Sequence, residues 1–317
     1  MHNNTRTQEI QVLRDLNKKG KPRPWAENKA VNEVLSSHYL EINLSKAARL
    51  KECATYLLFQ YLEDAKKLKQ ANFCRVRLCP MCNWRRSLKV SGQLHKIVQA
   101  IKGEGQYSYL LLTLTVKNVE GDKLSSTIDD MMRGFHKFIK YKPVKDTVEG
   151  WFRSMEVTHN LEKDDISFDT YHPHFHLLLC VKPSYFKPGK YLNHADWRGL
   201  WKKAMGLDYD PVVNIKRTYG QTPEAVAEAA KYAVKPGDYI IPEDYDLSIE
   251  TIRTLDFALN KRRFVGMGGI FKKMHKTLNL DDPEDGDLIQ ADEDQPEGEG
   301  QEILFVWHVG YSDYVKG

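Results

Sequence analysis

The fold is decided by one stretch of the sequence, Tyr171-His172-Pro173-His174-Phe175-His176-Leu177-Leu178-Leu179-Cys180-Val181. Its second half is a continuous apolar run, which predicts a buried β-strand, and a proline suits the first residues of a strand. Successive side chains point to opposite faces of a strand, so His172, His174 and His176 share one face. Imidazoles on one rigid face can hold a divalent cation. The alternative is a strand whose polar face carries histidines without a ligand.

A neighbouring strand is predicted from Trp151 to Thr158, and a short turn would join the two strands as an antiparallel hairpin. In such a hairpin Glu156 can lie beside His174 and His176. Two imidazoles and one carboxylate form a suitable ligand set for a divalent metal ion. His159 at the end of the strand competes as a ligand, and the role of the first histidine of the opening stretch is also open.

The surrounding segments complete a mixed α+β pattern. Strands are predicted at 107–116 and 211–215, and helices at 125–140 and 196–205. Together with the hairpin, the order is β-α-β-β-α-β, which is that of a ferredoxin-like, split-βαβ sheet. The predicted fold class is therefore α+β, with a central antiparallel sheet flanked by helices and an N-terminal helical segment that binds zinc.

Four of the five cysteines fall close together, at Cys53, Cys74, Cys79 and Cys82. The last two form a C-x-x-C knuckle. Clustered cysteines in a protein without secretory features favour metal over disulfides, and four thiolates suit structural Zn²⁺. A redox role for the knuckle is the weaker alternative, because no βαβ pattern surrounds it. Cys180 is predicted to be a buried core thiol.

The N-terminal third is predicted to begin with polar residues up to about Tyr39, which include a loop or arm at 18–24. A helix is predicted to follow from about Leu44 to Gln70. Arginines and a tryptophan surround the cysteine knuckle. This combination suits phosphate contact and base stacking, and the alternative is a basic surface with the indole packed on the zinc module. The predicted DNA-binding residues here are Arg75, Arg77, Trp84, Arg85 and Arg86.

The net charge of +4 conceals an uneven distribution of charge. The last 37 residues hold twelve of the 43 acids and one of the 47 bases, so the first 280 residues carry 46 bases against 31 acids. Such an excess is expected of a nucleic-acid binder, although a solvated lysine-rich surface also produces it. The sequence shows no transmembrane run and no signal peptide, which predicts a soluble cytoplasmic protein.

The predicted domains follow from these features. An N-terminal arm, helices and cysteine cluster occupy 1–100, and the domain with the histidine strand occupies 101–280. An acidic flexible segment at 281–302 precedes a C-terminal strand and tail at 303–317, where an edge strand could return.

A helix with candidate catalytic residues is predicted from Ala225 to about Val234, preceded by Thr-Pro-Glu as a capping sequence. Glu228 and Tyr232 are spaced i, i+4 and therefore lie on one face. Lys235 follows on the same side. A base or a nearby cation can activate a phenol as a nucleophile, whereas the alternative is a tyrosine packed in the core.

Together these stretches resemble the replication initiators of small rolling-circle plasmids, which belong to the HUH endonuclease superfamily, named for a His–hydrophobic–His motif. The resemblance covers about Trp25 to Leu280. It rests on Leu111-Leu112-Thr113-Leu114-Thr115, on His172-Pro173-His174-Phe175-His176-Leu177-Leu178, and on Glu228-Ala229-Ala230-Lys231-Tyr232-Ala233-Val234-Lys235. The segment from Cys74 to Arg85 and, more weakly, Arg263-Phe264-Val265-Gly266 are also similar to this family.

The resemblance implies a sequence-specific DNA nicking-closing enzyme of the single-tyrosine type. Tyr232 would attack one phosphodiester at the origin, keep the 5′-phosphate and release a 3′-OH as primer. Glu228, one turn earlier, would activate water at termination, and Lys235 would assist. Lys231 is a further predicted DNA contact.

The resemblance also implies the cofactors and partners. His174, His176 and Glu156 would hold a catalytic divalent ion, Mn²⁺ or Mg²⁺, while structural Zn²⁺ would occupy the cysteine cluster. The partners would be plasmid origin DNA, presented as a hairpin with a single-stranded nick site, and a host helicase with the replication machinery of a bacterium. Two alternatives are a transposase or relaxase of the same superfamily and a non-catalytic zinc-containing DNA-binding regulator.

Overall fold

The protein is described here by a computed structural model that covers residues 11–17, 19–63, 66–218, 222–230, 234–291 and 298–317, without the side chains of Thr222 and Pro223. The α-helices in these residues are α1 (Trp25–Tyr39), α2 (Leu44–Glu52), α3 (Pro80–Glu104), α4 (Gly121–Phe138), α5 (Lys142–Lys145), α6 (His194–Met205), α7 (Thr222–Ala229), α8 (Tyr245–Ala258) and α9 (Ile270–Thr277). The strands are β1 (Tyr56–Tyr61), β2 (Lys66–Ala71), β3 (Ser108–Thr115), β4 (Val148–Asn160), β5 (Thr170–Val181), β6 (Val213–Arg217), β7 (Gly266–Gly269), β8 (Gln301–His308) and β9 (Asp313–Lys316). Within the part of the chain that is described, no helix has the length and apolar character needed to span a membrane.

The chain divides into two compact units. The first unit combines Met1–Cys82 with Leu288–Gly317, and the second unit is Asn83–Asp287. Each unit contains one antiparallel sheet, with the strand order β2-β1-β8-β9 in the first and β6-β3-β5-β4-β7 in the second. The predicted α+β class with antiparallel sheets and flanking helices is confirmed.

The helix predicted from Leu44 to Gln70 is wrong in its second half. Helix α2 ends at Glu52, and the chain passes through Ala54, whose φ of 52° lies in the left-handed region. Strands β1 and β2 then form an antiparallel hairpin. The segment of β1 is rich in aromatic residues, which favour strands, and its buried side chains, Leu57 and Phe59, alternate with the period of a strand.

Both ends of the chain contain more regular structure than predicted. At the N-terminus, α1 begins at Trp25, directly after the predicted loop or arm, and buries Leu35 in a stretch that was described only as polar. Near the C-terminus, β8 pairs with β1 on one side and β9 on the other, so it is an interior strand and not an edge strand. The sequence alone did not indicate that β8 is an interior strand, because β8 follows a long acidic stretch and its partner β1 is more than 200 residues away.

The sheet of the second unit has the topology predicted from the element order. The succession β3-α4-β4-β5-α6-β6 builds a sheet in which the fourth, first, third and second strands are neighbours, and β7 adds a further strand beside β4. This is the ferredoxin-like arrangement. It places the histidine strand, β5, between β3 and β4.

The apolar face of β5 fixes the strand against the helices. Phe175 is fully buried, with its ring centroid 5.7 Å from that of Phe135 on α4 and 6.2 Å from that of Trp201 on α6. Burial of large aromatic side chains dominates the energetics of such cores. Because strand side chains alternate, this packing forces His174 and His176 onto the other face of the sheet.

The start of the acidic segment is anchored, although it was predicted to be flexible. Asp281 contacts the ammonium group of Lys89 on α3 directly. Asp282 accepts a 2.7 Å hydrogen bond from Arg263 Nη2. Charge pairs therefore hold this part of the segment, and of the four side chains that of Lys89 is buried. Residues 292–297 lie outside the described residues.

Candidate active site

The candidate metal ligands lie on the neighbouring strands β4 and β5. The register pairs Glu156 with His174 and Ser154 with His176, so these four side chains share one face of the sheet. Glu156 Oε2 lies 3.0 Å from His176 Nε2 and 3.3 Å from His174 Nε2. All three candidate ligands are buried, and their ligand atoms lie within 4.8 Å of one another.

These distances fit a small divalent ion. Ligand atoms about 2.1 Å from an ion such as Mg²⁺, at right angles to each other, are about 3.0 Å apart. The distances from Glu156 Oε2 to the two imidazole nitrogens are close to this value. A set of two imidazoles and one carboxylate on rigid strands can therefore hold such an ion.

Hydrogen bonding at the second ring nitrogen orients one of the two imidazoles. His174 Nδ1 lies 3.0 Å from the carbonyl oxygen of His172, to which it can donate. That tautomer leaves the Nε2 lone pair of His174 free for a metal ion, which is the arrangement that metal-binding histidines usually have. His176 Nδ1 is buried and makes no hydrogen bond with the described residues, and Glu228 Oε1 lies 3.5 Å from it.

The carboxyl group of Glu156 is ionised without any need for a metal ion. Burial by itself would raise the pKa of Glu156, but hydrogen bonds and charge interactions with His174 and His176 outweigh burial and hold this pKa well below its usual range. A carboxylate that is already ionised at neutral pH can coordinate a cation without first releasing a proton.

The competing ligand His159 lies on the other face of β4. Its Nε2 is 2.8 Å from Asp169 Oδ1, and its Nδ1 is 3.0 Å from the carbonyl oxygen of Asp238. Both ring nitrogens are thus occupied away from Glu156. His172 shares the face of His174, but neither it nor His159 belongs to the ligand cluster found in the described part of the chain.

Helix α7 lies against this face of the sheet, and Ser154 forms a hydrogen bond with the C-terminal end of the helix. The buried Ser154 hydroxyl donates a 2.6 Å hydrogen bond to the carbonyl oxygen of Ala229, the last residue of α7. On the same helix, Glu228 approaches His176. The ammonium group of Lys235, which follows the helix, lies 3.5 Å from Glu156 Oε1.

The described residues thus place two of the three predicted catalytic residues, Glu228 and Lys235, beside the candidate metal ligands. Tyr232 lies outside the described residues, as does Lys231. Helix α7 ends at Ala229, earlier than the predicted end of the helix near Val234.

We expect Ser154→Ala to loosen the end of α7, since a buried hydrogen bond of roughly 1–1.5 kcal/mol to the carbonyl oxygen of Ala229 is lost. Backbone amides of α7 should then exchange their hydrogens about tenfold faster. The measurement is hydrogen exchange in α7 together with thermal melting. Ser248→Ala is the matched control, because Ser248 is equally buried and bonds to backbone around α8. Equal exchange rates in α7 for the two variants would contradict this role of Ser154.

A cavity of about 420 Å³ continues the candidate site across β3 and β6. Thr113 pairs with both His176 and Asn214, so the face that carries the ligands extends to β6. Lys216, Arg217 and Glu228 also line the cavity. The sequence analysis did not identify the basic residues Lys216 and Arg217 as part of the site. The alternation of Asn214 and Lys216 along a predicted strand could have indicated that both side chains lie on one face of the sheet.

The cysteine cluster of the first unit has the geometry of a tetrahedral site. The Sγ–Sγ distances are 3.6 Å for Cys53–Cys79, 3.7 Å for Cys53–Cys82 and 3.8 Å for Cys74–Cys82. Four thiolates about 2.3 Å from a zinc ion lie about 3.8 Å apart. All four cysteines are free of disulfides. The cluster can therefore hold a zinc ion.

Backbone amides surround the sulfur atoms of this cluster. The amide of Cys82 donates to Cys79 Sγ at 3.4 Å, and that of Arg75 donates to Cys82 Sγ at 3.3 Å. Burial and hydrogen bonds with the neighbouring thiols raise the pKa of Cys79. Several buried thiols ionise side by side only where a cation such as a metal ion neutralises their charge.

The basic residues around the knuckle differ in exposure. Arg75 is exposed, and Arg77 and Trp84 are half-buried. Arg85 and Arg86 are buried, with Arg86 Nη1 donating a 3.0 Å hydrogen bond to Asn83. Exposed or half-buried side chains can contact a phosphate directly, so Arg75 and Arg77 are the better placed of the predicted arginines.

The fold and the candidate site define a mixed α+β protein with a two-histidine, one-carboxylate cluster on a ferredoxin-like sheet. Comparison with known proteins gives the family. A sequence model of the family described as replication protein matches residues 65–315. The chain belongs to this family of replication proteins, and the predicted resemblance to rolling-circle plasmid initiators is confirmed.

Curated relatives agree with this assignment over nearly the whole chain. A protein named "Protein rep" from Bacillus amyloliquefaciens is 41% identical in an alignment that spans 96% of this chain and 97% of the relative. A "Protein rep" from a Bacillus species is 45% identical over 77% of this chain and 84% of its own length. A third, from Streptococcus pneumoniae serotype 2, is 37% identical over 96% of this chain and 95% of its own length. No solved structure matches the chain significantly.

Proposed function

We propose that this plasmid replication initiator is a nicking-closing enzyme of the HUH superfamily, which cleaves one strand of origin DNA and later rejoins it. The observation that carries the proposal is the cluster of Glu156, His174 and His176, whose ligand atoms converge beside helix α7. Four residues after Glu228 on this segment, the sequence has Tyr232. A buried, preformed ligand cluster, and a tyrosine that follows α7 in the sequence, form a residue set suited to phosphodiester cleavage.

In the proposed reaction, the phenolic oxygen of Tyr232 attacks the scissile phosphorus. A new bond forms between this oxygen and phosphorus, and the bond from phosphorus to the 3′ oxygen breaks. The phenolic proton leaves the tyrosine, and the departing 3′ oxygen ends as a 3′-OH that primes synthesis. The 5′ end of the strand stays on the enzyme as a phosphotyrosine ester, and the reverse reaction rejoins the DNA.

The residues of the cluster support this reaction in distinct ways. A divalent ion, Mn²⁺ or Mg²⁺, would polarise the scissile phosphate when bound by His174, His176 and Glu156. Lys235, close to Glu156 and largely exposed, can approach the same phosphate and favour the phenolate form of the nucleophile. We therefore expect Lys235→Ala to slow nicking without changing the cleavage position.

The cavity beside α7 supports the binding of single-stranded DNA. Lys216 and Arg217 can contact phosphates, and the amide of Asn214 can bond to a base edge. Lys231, Arg75, Arg77, Trp84, Arg85 and Arg86 remain proposed DNA contacts. The proposed partners are origin DNA with a hairpin and single-stranded nick site, a host helicase and the replication machinery. The reaction would take place in the bacterial cytoplasm, where plasmid DNA is replicated.

The test of this function is mass spectrometry of the protein after reaction with single-stranded oligonucleotides that tile the plasmid origin, in the presence of Mn²⁺. We expect one oligonucleotide to yield an adduct heavier than the protein by the 5′-phosphorylated product. Tyr232→Phe should form no adduct, because it lacks the attacking oxygen. Tyr245→Phe is the control, because Tyr245 is an exposed tyrosine on α8.

A non-catalytic regulator would bind the same DNA but form no adduct and leave supercoiled plasmid unrelaxed. An adduct that persists in Tyr232→Phe would refute the assignment of the nucleophile. A transposase or relaxase is disfavoured by the family assignment, since the match covers residues 65–315 of a replication-protein family.

A further prediction separates Glu228 from Tyr232. A carboxylate cannot form the phosphotyrosine link, whereas a tyrosine already in that link cannot act again until released. Glu228 would instead deprotonate the water that ends replication. We expect Glu228→Ala to nick and form the adduct, yet to give products longer than one plasmid unit.

The assay for this prediction is replication of a plasmid with two origins in a cell extract, with product lengths read on a gel. Asp246→Ala is the control, because Asp246 is an exposed acid on α8, outside the cavity beside α7. Glu228 Oε1 is also 3.5 Å from His176 Nδ1, so some slowing of the first cleavage is expected through a less well oriented imidazole. Clean termination by Glu228→Ala, or a complete loss of nicking, would refute the division of roles.

A further inference from the structure

A second basic cleft lies on the opposite face of the catalytic sheet. It has a volume of about 570 Å³ and opens between α4, β4, β7 and α9. Arg153 on β4 lines it. Ser154 and Glu156 on the same strand lie on the face of the sheet that carries the candidate metal ligands. Because side chains alternate along a strand, Arg153 lies on the other face.

Arg153 is a buried cation that forms no ion pair with a described residue. The residue is 6% exposed, its Nε makes no hydrogen bond with the described residues, and the nearby charge of Glu284 compensates it only at longer range. Its guanidinium group instead contacts Met132 Sδ at 2.9 Å and lies 5.1 Å and 4.8 Å from the ring centroids of Phe135 and Phe175. Burial lowers the pKa of Arg153 to about 10, so it is still charged at neutral pH. Buried charges are normally paired, which makes this group a candidate for pairing with a ligand.

The rim of the cleft adds further positive charge. Lys272 and Lys276 on α9 are exposed, and neither forms an ion pair with a described residue. Arg262 and Arg263 are balanced by Asp129 and Asp282 respectively, so they contribute less. The unbalanced charge therefore comes from Arg153 and the two lysines.

Gly266 on the neighbouring strand β7 leaves space beside the guanidinium group. A Cβ atom at Gly266 would lie 3.4 Å from Arg153 Nη2, so a side chain at this position would occupy the space beside it. Trp151 also lines the cleft and offers an aromatic surface next to the cations. A planar guanidinium group, two ammonium groups and an indole in one cleft are suited to a phosphate attached to a base or sugar.

We propose that this cleft is a second phosphate site, which binds the phosphate of a nucleotide, either free or within DNA. Arg153 forms the floor of the site, and Lys272 and Lys276 attract the phosphate from the rim. Because the cleft and the ligand cluster face opposite sides of the sheet, the phosphate bound here is not the one that is cleaved.

The test is isothermal titration calorimetry of the full chain with two probes, dTTP and a DNA duplex that lacks the nick site. A hydrogen-bonded ion pair of roughly 1.5–3 kcal/mol corresponds to a 10- to 100-fold loss of affinity in Arg153→Met. Lys272→Ala combined with Lys276→Ala should weaken binding and reduce its salt dependence. Lys273→Ala is the matched control on the same helix, since Lys273 pairs with Glu104 away from the cleft. It should bind as the parent protein does.

A second variant blocks the cleft without removing a charge, so that the result does not depend on whether Arg153→Met folds correctly. Gly266→Val should weaken binding by filling the space beside Arg153, and circular dichroism would verify the fold of each variant. Loss of dTTP binding in these variants assigns the site to a free nucleotide, and the same pattern for the duplex alone assigns it to DNA. The proposal is overturned if neither probe binds, or if folded Arg153→Met and Gly266→Val bind both probes as tightly as Lys273→Ala does.

Discussion

Replacement of both His174 and His176 by alanine is expected to abolish nicking while DNA binding persists. The two imidazoles supply two of the three ligand atoms that converge at Glu156, and Glu156 alone would hold a divalent ion weakly. Without the ion, transition-state stabilisation of several kcal/mol is lost, so the rate should fall by at least about 10³-fold. DNA binding should remain, because it depends mainly on phosphate contacts with Lys and Arg side chains.

The measurements are relaxation of supercoiled plasmid in Mn²⁺ and the affinity for origin DNA at one fixed salt concentration. His172→Ala is the control on the same strand face, and it should retain most of the activity because its side chain is outside the ligand cluster. If the double variant keeps its fold but loses binding and cleavage to the same extent, these histidines hold DNA and not a catalytic ion.

The arrangement of β4 and β5 could be predicted because it depends on local sequence. Alternation of His174 and His176 with apolar residues fixes the faces of β5, and a short connection makes its pairing with β4 the simplest one. The position of Glu156 then follows from register. The hydrogen bond from Ser154 to Ala229 could not be predicted in this way, since it joins residues 75 positions apart through the docking of a helix.

The mistaken parts of the prediction have a common physical origin. Leu57, Leu58 and Tyr61 are compatible with a helix when only apolar spacing is considered, and they become strand residues because β8, more than 200 residues later, pairs with β1. Tertiary pairing of this kind overrides a weak local preference. The basic cleft around Arg153 is hidden in the sequence for the same reason, because its walls come from α4, β4 and α9.

The second large effect is expected at the cysteine cluster, where Cys79→Ser should remove the metal and unfold the first unit. Cys79 is fully buried, and its Sγ lies 3.6 Å from Cys53 Sγ. The binding energy of a structural zinc ion contributes directly to folding, with apparent values of about 10–16 kcal/mol in small zinc domains. A domain is stable by only about 5–15 kcal/mol, so loss of the ion is comparable to its whole stability.

The measurements for this prediction are the zinc content of the purified protein, expected to be one ion per chain, and thermal melting with and without a chelator. Cys180→Ala is the matched control, because Cys180 is also a buried free thiol but lies on β5, outside the cluster. It should keep its zinc and lose roughly 1 kcal/mol, whereas Cys79→Ser should lose the ion and melt far lower. A chain purified without zinc, or equal melting of the two variants, would show that the thiols are only packed together. We expect bound zinc and unequal melting, because the spacing of the sulfur atoms matches that of four ligands around a tetrahedrally coordinated ion.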